Sequence, residues 1–280
     1  MATDPTIRPT DVRMKGFARR WTVEQSLEWV DGSIPEPLIE HIQLEEAASR
    51  VLAEDICSTI DVPHFARAMM DGFAVLGSDT AGASAYNPLT LRVIGESLPG
   101  NPFSKQVTAG HAVRIMTGAP MPLGADAVLP VEQTVIEDNQ ILVQGEVAPE
   151  KHVGFPGEDI QSGTVVLQQF RRLRAQDLGV LSSIGVGKVP VLQKPRVRLV
   201  ITGNELLPPG SKPAEHNICD ANSPMLAALI ERDGGTVIHP GIISDNPESI
   251  LEALQDDADI IIVSGGSSVG QEDHAPRLVA

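Results

Sequence analysis

The sequence predicts a multidomain α/β protein in which a small all-β region precedes a doubly wound parallel α/β domain. Three observations carry that expectation. The chain of 280 residues exceeds one average domain. Between about 61 and 147, short β-rich runs are separated by Gly and Pro, and no helix-length periodic stretch interrupts them. From about 194 onward, apolar strand-like runs alternate with helix-like ones, the rhythm of a parallel sheet with crossover helices.

Taken in order, residues 1–20 form a polar extension with basic side chains at Arg13, Lys15, Arg19 and Arg20, read as an arm. Thr22 followed by Gln25 is a capping-box pattern that opens a short helix to about Val30. A second helix is expected over 43–53, QLEEAASRVLA, where apolar residues recur on one face. Strands are expected at FAVL, LTLRVIG, HAVRIMTG, AVLPVEQTVI and QILVQGEV. Next come a GEDI loop, the strand TVVL, a helix over AQDLGVLSSIG with Gly185 at its C-cap, and the strand KVPVL. The last third reads as a buried strand over 196–202 and a helix over 225–232 capped by Ser223 with Pro224 at its first position. TVIHPG is a second strand, Asn246 and Pro247 open the helix ESILEALQD, and DIIIVSGG is a third strand with a glycine-rich exit.

Composition excludes several classes. A formal charge of −16 repels nucleic acid, and aromatics at 3% leave no base-stacking platform. Cys57 and Cys219 are far apart with no CxxC pairing, so disulfide scaffolds and zinc knuckles are disfavoured and two buried, reduced thiols are expected. No apolar run approaches a membrane span, and the N-terminus has no signal-peptide core, which points to a cytoplasmic protein without a membrane partner. HExxH and Walker A motifs are absent. Gly266 to Gly270 fits a GxSxG elbow formally, but only His274 follows to activate Ser268.

In doubly wound sheets, ligands sit beyond the carboxyl ends of the strands. Glu205 follows the first strand of the last domain, Asp245 the second, and the segment from Ser264 to Asp273 the third. The loop Ser264-Gly265-Gly266-Ser267-Ser268-Val269-Gly270 suits a phosphate, because glycines admit close backbone approach and the N–H groups and hydroxyls donate. Carboxylates cannot bind an anion directly, so Glu205, Asp245 and Asp273 suggest a hard divalent cation such as Mg²⁺. Bland readings stand beside these. Asp245 precedes a helix start, Asp159 suits a turn, and Asp71 in MMDGFAV is either a turn residue or aimed into a cleft, as is Thr117 in TGAP.

Five segments, MMDGFAV (69–75), TGAPMPLGADAV (117–128), GEDI (157–160), TGNEL (202–206) and SGGSSVGQED (264–273), together resemble the molybdopterin molybdotransferases, a family that includes the corresponding domain of gephyrin. The likeness runs from Leu44 to Asp273. It implies a transferase that takes adenylylated molybdopterin and molybdate and releases AMP with the finished cofactor, aided by Mg²⁺ or another divalent cation. It implies catalytic roles for Asp71, Thr117, Asp159, Glu205, Asp245 and Asp273, with metal at Glu205, Asp245 and Asp273. The loop residues Ser264, Gly265, Gly266, Ser267, Ser268 and Gly270 would hold the pterin phosphate. Asn204 stands where the family more often has Asp, and Ala68-Met69-Met70 replaces the usual Ser-Ala-Met. The implied domains are a linker (21–60 with 148–193), an inserted β-domain (61–147) and a molybdopterin-binding doubly wound domain (194–280). A homodimer is implied, with the β-domain of one copy facing the doubly wound domain of the other, and other cofactor-assembly proteins are further candidate partners. The family's lysine-bearing and GLPGNP-like segments are missing, so the sequence is expected to be a fragment inactive by itself. A non-catalytic molybdopterin-binding module or scaffold stays open as the alternative.

Overall fold

The computed structural model describes residues 21–214, 216–255, 257–265 and 278. The expected arm at 1–20 therefore lies outside the described residues. The chain divides into two compact units, one spanning 42–189 and the other comprising 1–41 with 190–280.

Helix α1 (Val23–Ser33) starts as its capping box dictates. The Thr22 hydroxyl accepts from the Gln25 N–H, and the Gln25 side chain accepts from the Thr22 N–H. None of its residues is buried, and the rings of Trp21 and Trp29 meet edge to face 6.3 Å apart. Strand β1 (Ile39–Gln43) pairs with β12 (Lys188–Leu192) as a two-stranded ribbon.

The helix expected over 43–53 does not form. Only a 3₁₀ turn at Leu44–Glu46 appears, and Ser49 takes a left-handed φ of 66° that ends it. The apolar positions are buried as expected, with Ala47 and Leu52 fully covered. Their backbone, however, pairs with a distant segment: Ser49 N–H donates to the Leu173 carbonyl at 2.8 Å and Leu52 N–H to that of Arg171 at 2.9 Å. Tertiary pairing overrides local periodicity here.

Strands β2 (Ile56–Cys57) and β3 (Arg67–Ala68) are short. They lead to a mixed sheet built from β4 (Gly72–Val75), β5 (Ser84–Ser97), β6 (His111–Ile115), β7 (Ala127–Pro130), β8 (Thr134–Glu137) and β9 (Gln140–Gly145). Its order is β7-β4-β6-β5-β9-β8, with only the β5–β6 pair parallel. Both faces of the central strands are covered, since side chains alternate across a strand. Phe73, Val75, Leu129 and Ile141 form one cluster, and Ala74, Val113, Ile115 and Val128 form another. That explains why β4 and β7 read as continuous apolar runs. Strands β10 (Val153–Gly154) and β11 (Val165–Leu167) pair with β3 and β2. Helix α2 (Ala175–Ser183) closes the unit, followed by Gly185 at φ 80° as a left-handed terminator.

The second unit is the α/β one. Strand β13 (Arg196–Thr202) is followed by a small parallel ladder of β14 (Leu206–Leu207) and β15 (Ile218–Cys219). Next come α3 (Asn222–Asp233), β16 (Thr236–Ile238), β17 (Ile242–Ile243), α4 (Pro247–Leu254) and β18 (Ile260–Ser264). Strands β16 and β17 pair with successive parts of β13, and β18 runs along its other edge, all parallel. The connection thus moves to one side of β13 and then crosses back over it. Right-handed crossovers place the two helices on opposite faces when direction reverses. Side chains agree: Val197 and Ile230 of α3 crowd the same point beside Gly235, whereas Arg198 lines a hollow with Ser249 and Glu252 of α4.

Two local expectations are corrected. The cap of α3 is not Ser223, which lies inside the helix; the carboxylate of Asp220 accepts from the N–H groups of Asn222 and Ser223 instead. The thiols of Cys57 and Cys219 are free but exposed, not buried. Each lies in a two-residue strand at the surface, where pairing is supplied by backbone and not by burial.

Candidate functional site

In the unit spanning 42–189, the segment 66–69 is threaded between two neighbours. Ala68 N–H donates to the Ala119 carbonyl at 2.9 Å, Gly118 N–H to that of Ala68 at 2.8 Å, and Met69 N–H to that of His152 at 2.9 Å. Asp71 leaves this patch beside Thr117. Its Oδ1 accepts from both the N–H and the hydroxyl of Thr117, each at 2.7 Å. The Thr117 amide, then its hydroxyl, hold the Asp71 carboxyl below its ordinary value, so it is anionic at neutral pH. Gly72 follows because a Cβ there would lie 2.0 Å from the Leu129 carbonyl oxygen; nothing larger fits against β7.

Asp159 reaches the same patch through a cation. Arg67 Nη2 lies 2.5 Å from Glu158 Oε1 and 3.4 Å from Asp159 Oδ2. The expected residues Asp71, Thr117 and Asp159 therefore lie in three turns or bends that flank the meeting segments 66–69, 117–120 and 152–154. Arg67 was not anticipated. One basic residue in an apolar run carries no signal, and its role appears only once β3 pairs with β10.

The other unit places Glu205, Asp245 and Ser264 at the carboxyl ends of β13, β17 and β18. The reversal of strand order falls between β13 and β18, the position at which open α/β sheets bind ligands. Two side-chain hydrogen bonds order these exits: Asp245 N–H donates to Asn204 Oδ1 at 3.2 Å, joining the exits of β13 and β17, and Asn222 Nδ2 at the start of α3 donates to Ser264 Oγ at the end of β18 at 2.8 Å. Asn204 thus supplies the acceptor that the more usual Asp would. Gly265, at φ 120°, sits against β13. A Cβ there would come within 2.5 Å of Thr202 Oγ1 and 2.6 Å of its carbonyl oxygen, which only glycine avoids. Glu205 folds back over Gly203, where a Cβ would meet its Oε1 at 3.0 Å.

A cleft of about 500 Å³ opens beside the exits of β13 and β17, lined by Gly203, Asn204, Asp220, His239 and Ser244 among others. A second hollow of about 590 Å³ beside α4 contains none of the expected acids. Burial raises the Asp220 carboxyl, but hydrogen bonds from the Ser223 hydroxyl and from the Ser223 and Asn222 amides outweigh it, and the net shift is downward. Asp220 and Asn222 escaped the sequence reading. The cluster Asp-Ala-Asn-Ser ahead of Pro224 was the available signal, since such side chains gather at helix starts.

The oxygen donors of Glu205 and Asp245 suit a hard divalent cation, which needs one or two carboxylates. Among the described residues no three His, Cys, Asp or Glu side chains gather as a metal site. Asp273, the third expected ligand, lies outside the described residues, as do Gly266, Ser267, Ser268 and Gly270. No helix among the described residues is long and apolar enough to cross a membrane.

These features define a class: a doubly wound unit with tied strand exits, joined to a β-rich unit carrying its own acid cluster. Residues 21–185 match the family described as the MoeA N-terminal region (domain I and II), and 198–280 match a probable molybdopterin binding domain. The chain belongs to the MoeA family of molybdopterin molybdenumtransferases. It is 38% identical over 263 residues to the molybdopterin molybdenumtransferase of Haemophilus influenzae, covering 92% of this chain and 64% of that protein. It is 36% identical to molybdopterin molybdenumtransferase 2 of Mycobacterium tuberculosis, covering 82% of this chain and 57% of that one. A crystal structure of a molybdopterin biosynthesis MoeA protein from Pyrococcus horikoshii superimposes with a TM-score of 0.81 at 34% identity, over 93% of this chain and 66% of that one. The chain thus spans between 57% and 64% of these two curated relatives.

Proposed function

We propose that this chain contributes to molybdenum cofactor biosynthesis as a molybdopterin molybdenumtransferase, binding adenylylated molybdopterin at the strand exits and taking up molybdate with release of AMP. One observation supports this above the others: Asn204–Asp245 joins the exits of β13 and β17, and Asn222–Ser264 holds the end of β18 to the start of α3, at the switch point of the sheet. Ser264 and Gly265 would approach the pterin phosphate through backbone and hydroxyl donors. Glu205 and Asp245, with Asp273, would hold Mg²⁺ or another divalent cation. When bound, that cation would offset the negative charge of substrate and carboxylates and polarise phosphoryl oxygens. Asp71, held anionic by Thr117, and Asp159, linked to Arg67, would orient substrate groups. On this reading the site would act in a cytoplasmic homodimer, with other cofactor-assembly proteins as further partners.

The test is binding and turnover on the 280-residue chain. Purified molybdopterin, followed by its fluorescence, should bind the chain and lose affinity at least about tenfold in Gly265→Ala, where the new Cβ meets Thr202. No binding by the unaltered chain overturns the reading. AMP release from adenylylated molybdopterin and molybdate then separates the two forms of the proposal. Turnover marks an enzyme sufficient in itself, and binding without turnover marks a substrate-binding portion whose catalysis needs more than residues 1–280.

A further inference from the structure

Asn222 occupies the first position of α3, and its side chain spans to the end of β18. Its own backbone is fixed from below. Asp220, only 5% exposed, accepts from the Asn222 N–H at 2.9 Å and the Ser223 N–H at 3.1 Å through Oδ1, and from the Ser223 hydroxyl through Oδ2. Asp220 is itself held by β14, since its N–H donates to the Leu207 carbonyl at 2.8 Å. The amide of Asn222 is therefore presented from an ordered helix start. At its far end, Nδ2 donates to Ser264 Oγ at 2.8 Å.

The direction of that bond matters. A serine hydroxyl has one donor hydrogen and two acceptor sites. Because Asn222 fills an acceptor site, the Ser264 hydrogen is left for another acceptor. The ligand chemistry that completes this arrangement is an anionic oxygen, such as a phosphate oxygen, at the strand exits. Were Asn222 an acid, the hydroxyl would donate to it, and the exit would present a lone pair beside a negative charge.

We infer that Asn222 is a positioning residue that sets the polarity of the Ser264 hydroxyl, making it a donor for an anionic ligand group at the switch point. The identity of that ligand rests on the function proposed above; the polarity argument rests on the hydrogen bonds alone.

The experiment compares Asn222→Ala, Asn222→Asp, Ser264→Ala and the double variant Asn222→Ala/Ser264→Ala in the 280-residue chain. Purified molybdopterin is the probe, read by fluorescence, alongside thermal melting. Asn222→Ala should weaken binding roughly 5- to 10-fold, the worth of one hydrogen bond. Asn222→Asp should weaken it more, by roughly 30-fold or above, while leaving Tm unchanged or higher, because an acid in the first helical turn favours the helix. A residue that merely supported the helix would show the reverse order. The double variant should bind no more weakly than Ser264→Ala alone, since both changes remove the same donor. Asn222→Asp binding as well as the unaltered chain, or additive losses in the double variant, overturns the inference. Should the unaltered chain bind no molybdopterin, the functional proposal fails by itself. The positioning role is then decided by hydrogen exchange at residues 262–265, which should speed up in Asn222→Ala and would refute the clamp if unchanged.

Discussion

Every residue of β4 and β7 is buried, whereas none in β18 is, and Ile260 at its start is 48% exposed. The unit spanning 42–189 has a sheet with covered faces, and its acid cluster is satisfied by its own donors: Asp71 by Thr117, and Asp159 with Glu158 by Arg67. The α/β unit has its most buried side chains in β12, β13 and α4, among them Val191, Leu199, Val200, Ile201 and Ile250, and the carboxylate-bearing exits lie at its rim. One region is thus a well-covered frame with a preset anion, and the other a less buried sheet whose ligand-facing edge carries a few side-chain hydrogen bonds. Low burial density is where local opening starts.

The largest effect should come from the frame. Leu129→Ala removes a fully buried side chain from the β4–β7 core and should cost about 2–5 kcal/mol. Ile262→Ala in β18, half-buried opposite Leu199, should cost about 1 kcal/mol, because less apolar area is lost and no closed cavity results. Hydrogen-exchange protection of peptides from each unit reads both values separately. Equal costs would mean that β18 is packed as tightly as β7, and the contrast between the units would collapse.

The same contrast governs what was legible beforehand. Local chemistry was readable: the Thr22 and Asn246 caps act as expected, and the run 196–202 is the strand it promised to be. The runs FAVL and AVLPVEQTVI are expected as strands and overlap β4 and β7, whereas the covering of both their faces shows only in the fold. What escaped was non-local. The apolar spacing of 43–53 survives as burial of Ala47 and Leu52, but pairing with 171–173 replaces the helix. Two-residue strands such as β3 and β10 exist only through each other. At the candidate site, Glu205, Asp245 and Ser264 were placed at strand exits by counting elements, whereas Arg67, Asp220 and Asn222 act by reaching across loops whose course no periodicity encodes.

A second pair of variants sharpens the comparison through pH. Asp177 of the frame is 5% exposed and accepts from Arg171 and Arg174. Hydrogen bonding from the Arg171 guanidinium, then from the Arg174 side chain and backbone, holds its carboxyl far below the usual range against the opposing effect of burial. A carboxyl depressed on folding stabilises above its unfolded value, about 3.9, and that contribution is lost as pH falls toward the folded value. Asp177→Asn should therefore cost about 1–3 kcal/mol at pH 7, moderated because both arginines are partly solvated. The cost should shrink below about pH 4. Asp220→Asn in the α/β unit should cost under about 1 kcal/mol, since its donors are neutral and asparagine caps nearly as well. Urea denaturation at pH 7 and pH 3, read by the same unit-resolved exchange, checks both. A larger loss at Asp220 would make the α/β unit the more charge-dependent of the two.

The smallest effect concerns the preset anion itself. Asp71 and Thr117 are both exposed, so their interaction should change a titration more than a stability. Thr117→Val deletes the hydroxyl donor and keeps the backbone N–H, which is the stronger of the two influences on Asp71. The Asp71 carboxyl, followed by its Cγ resonance in an NMR titration, should move up toward the ordinary carboxylate range yet stop short of it. A full return to the ordinary value would assign the whole effect to the hydroxyl and leave the backbone geometry of 117 without a role. No upward movement would mean that the amide alone presets the charge, and that the threonine hydroxyl is free for a ligand. Either result would redraw the frame's half of the contrast, because a carboxylate held by backbone alone is fixed by the fold, whereas one held by a hydroxyl can exchange that partner for substrate.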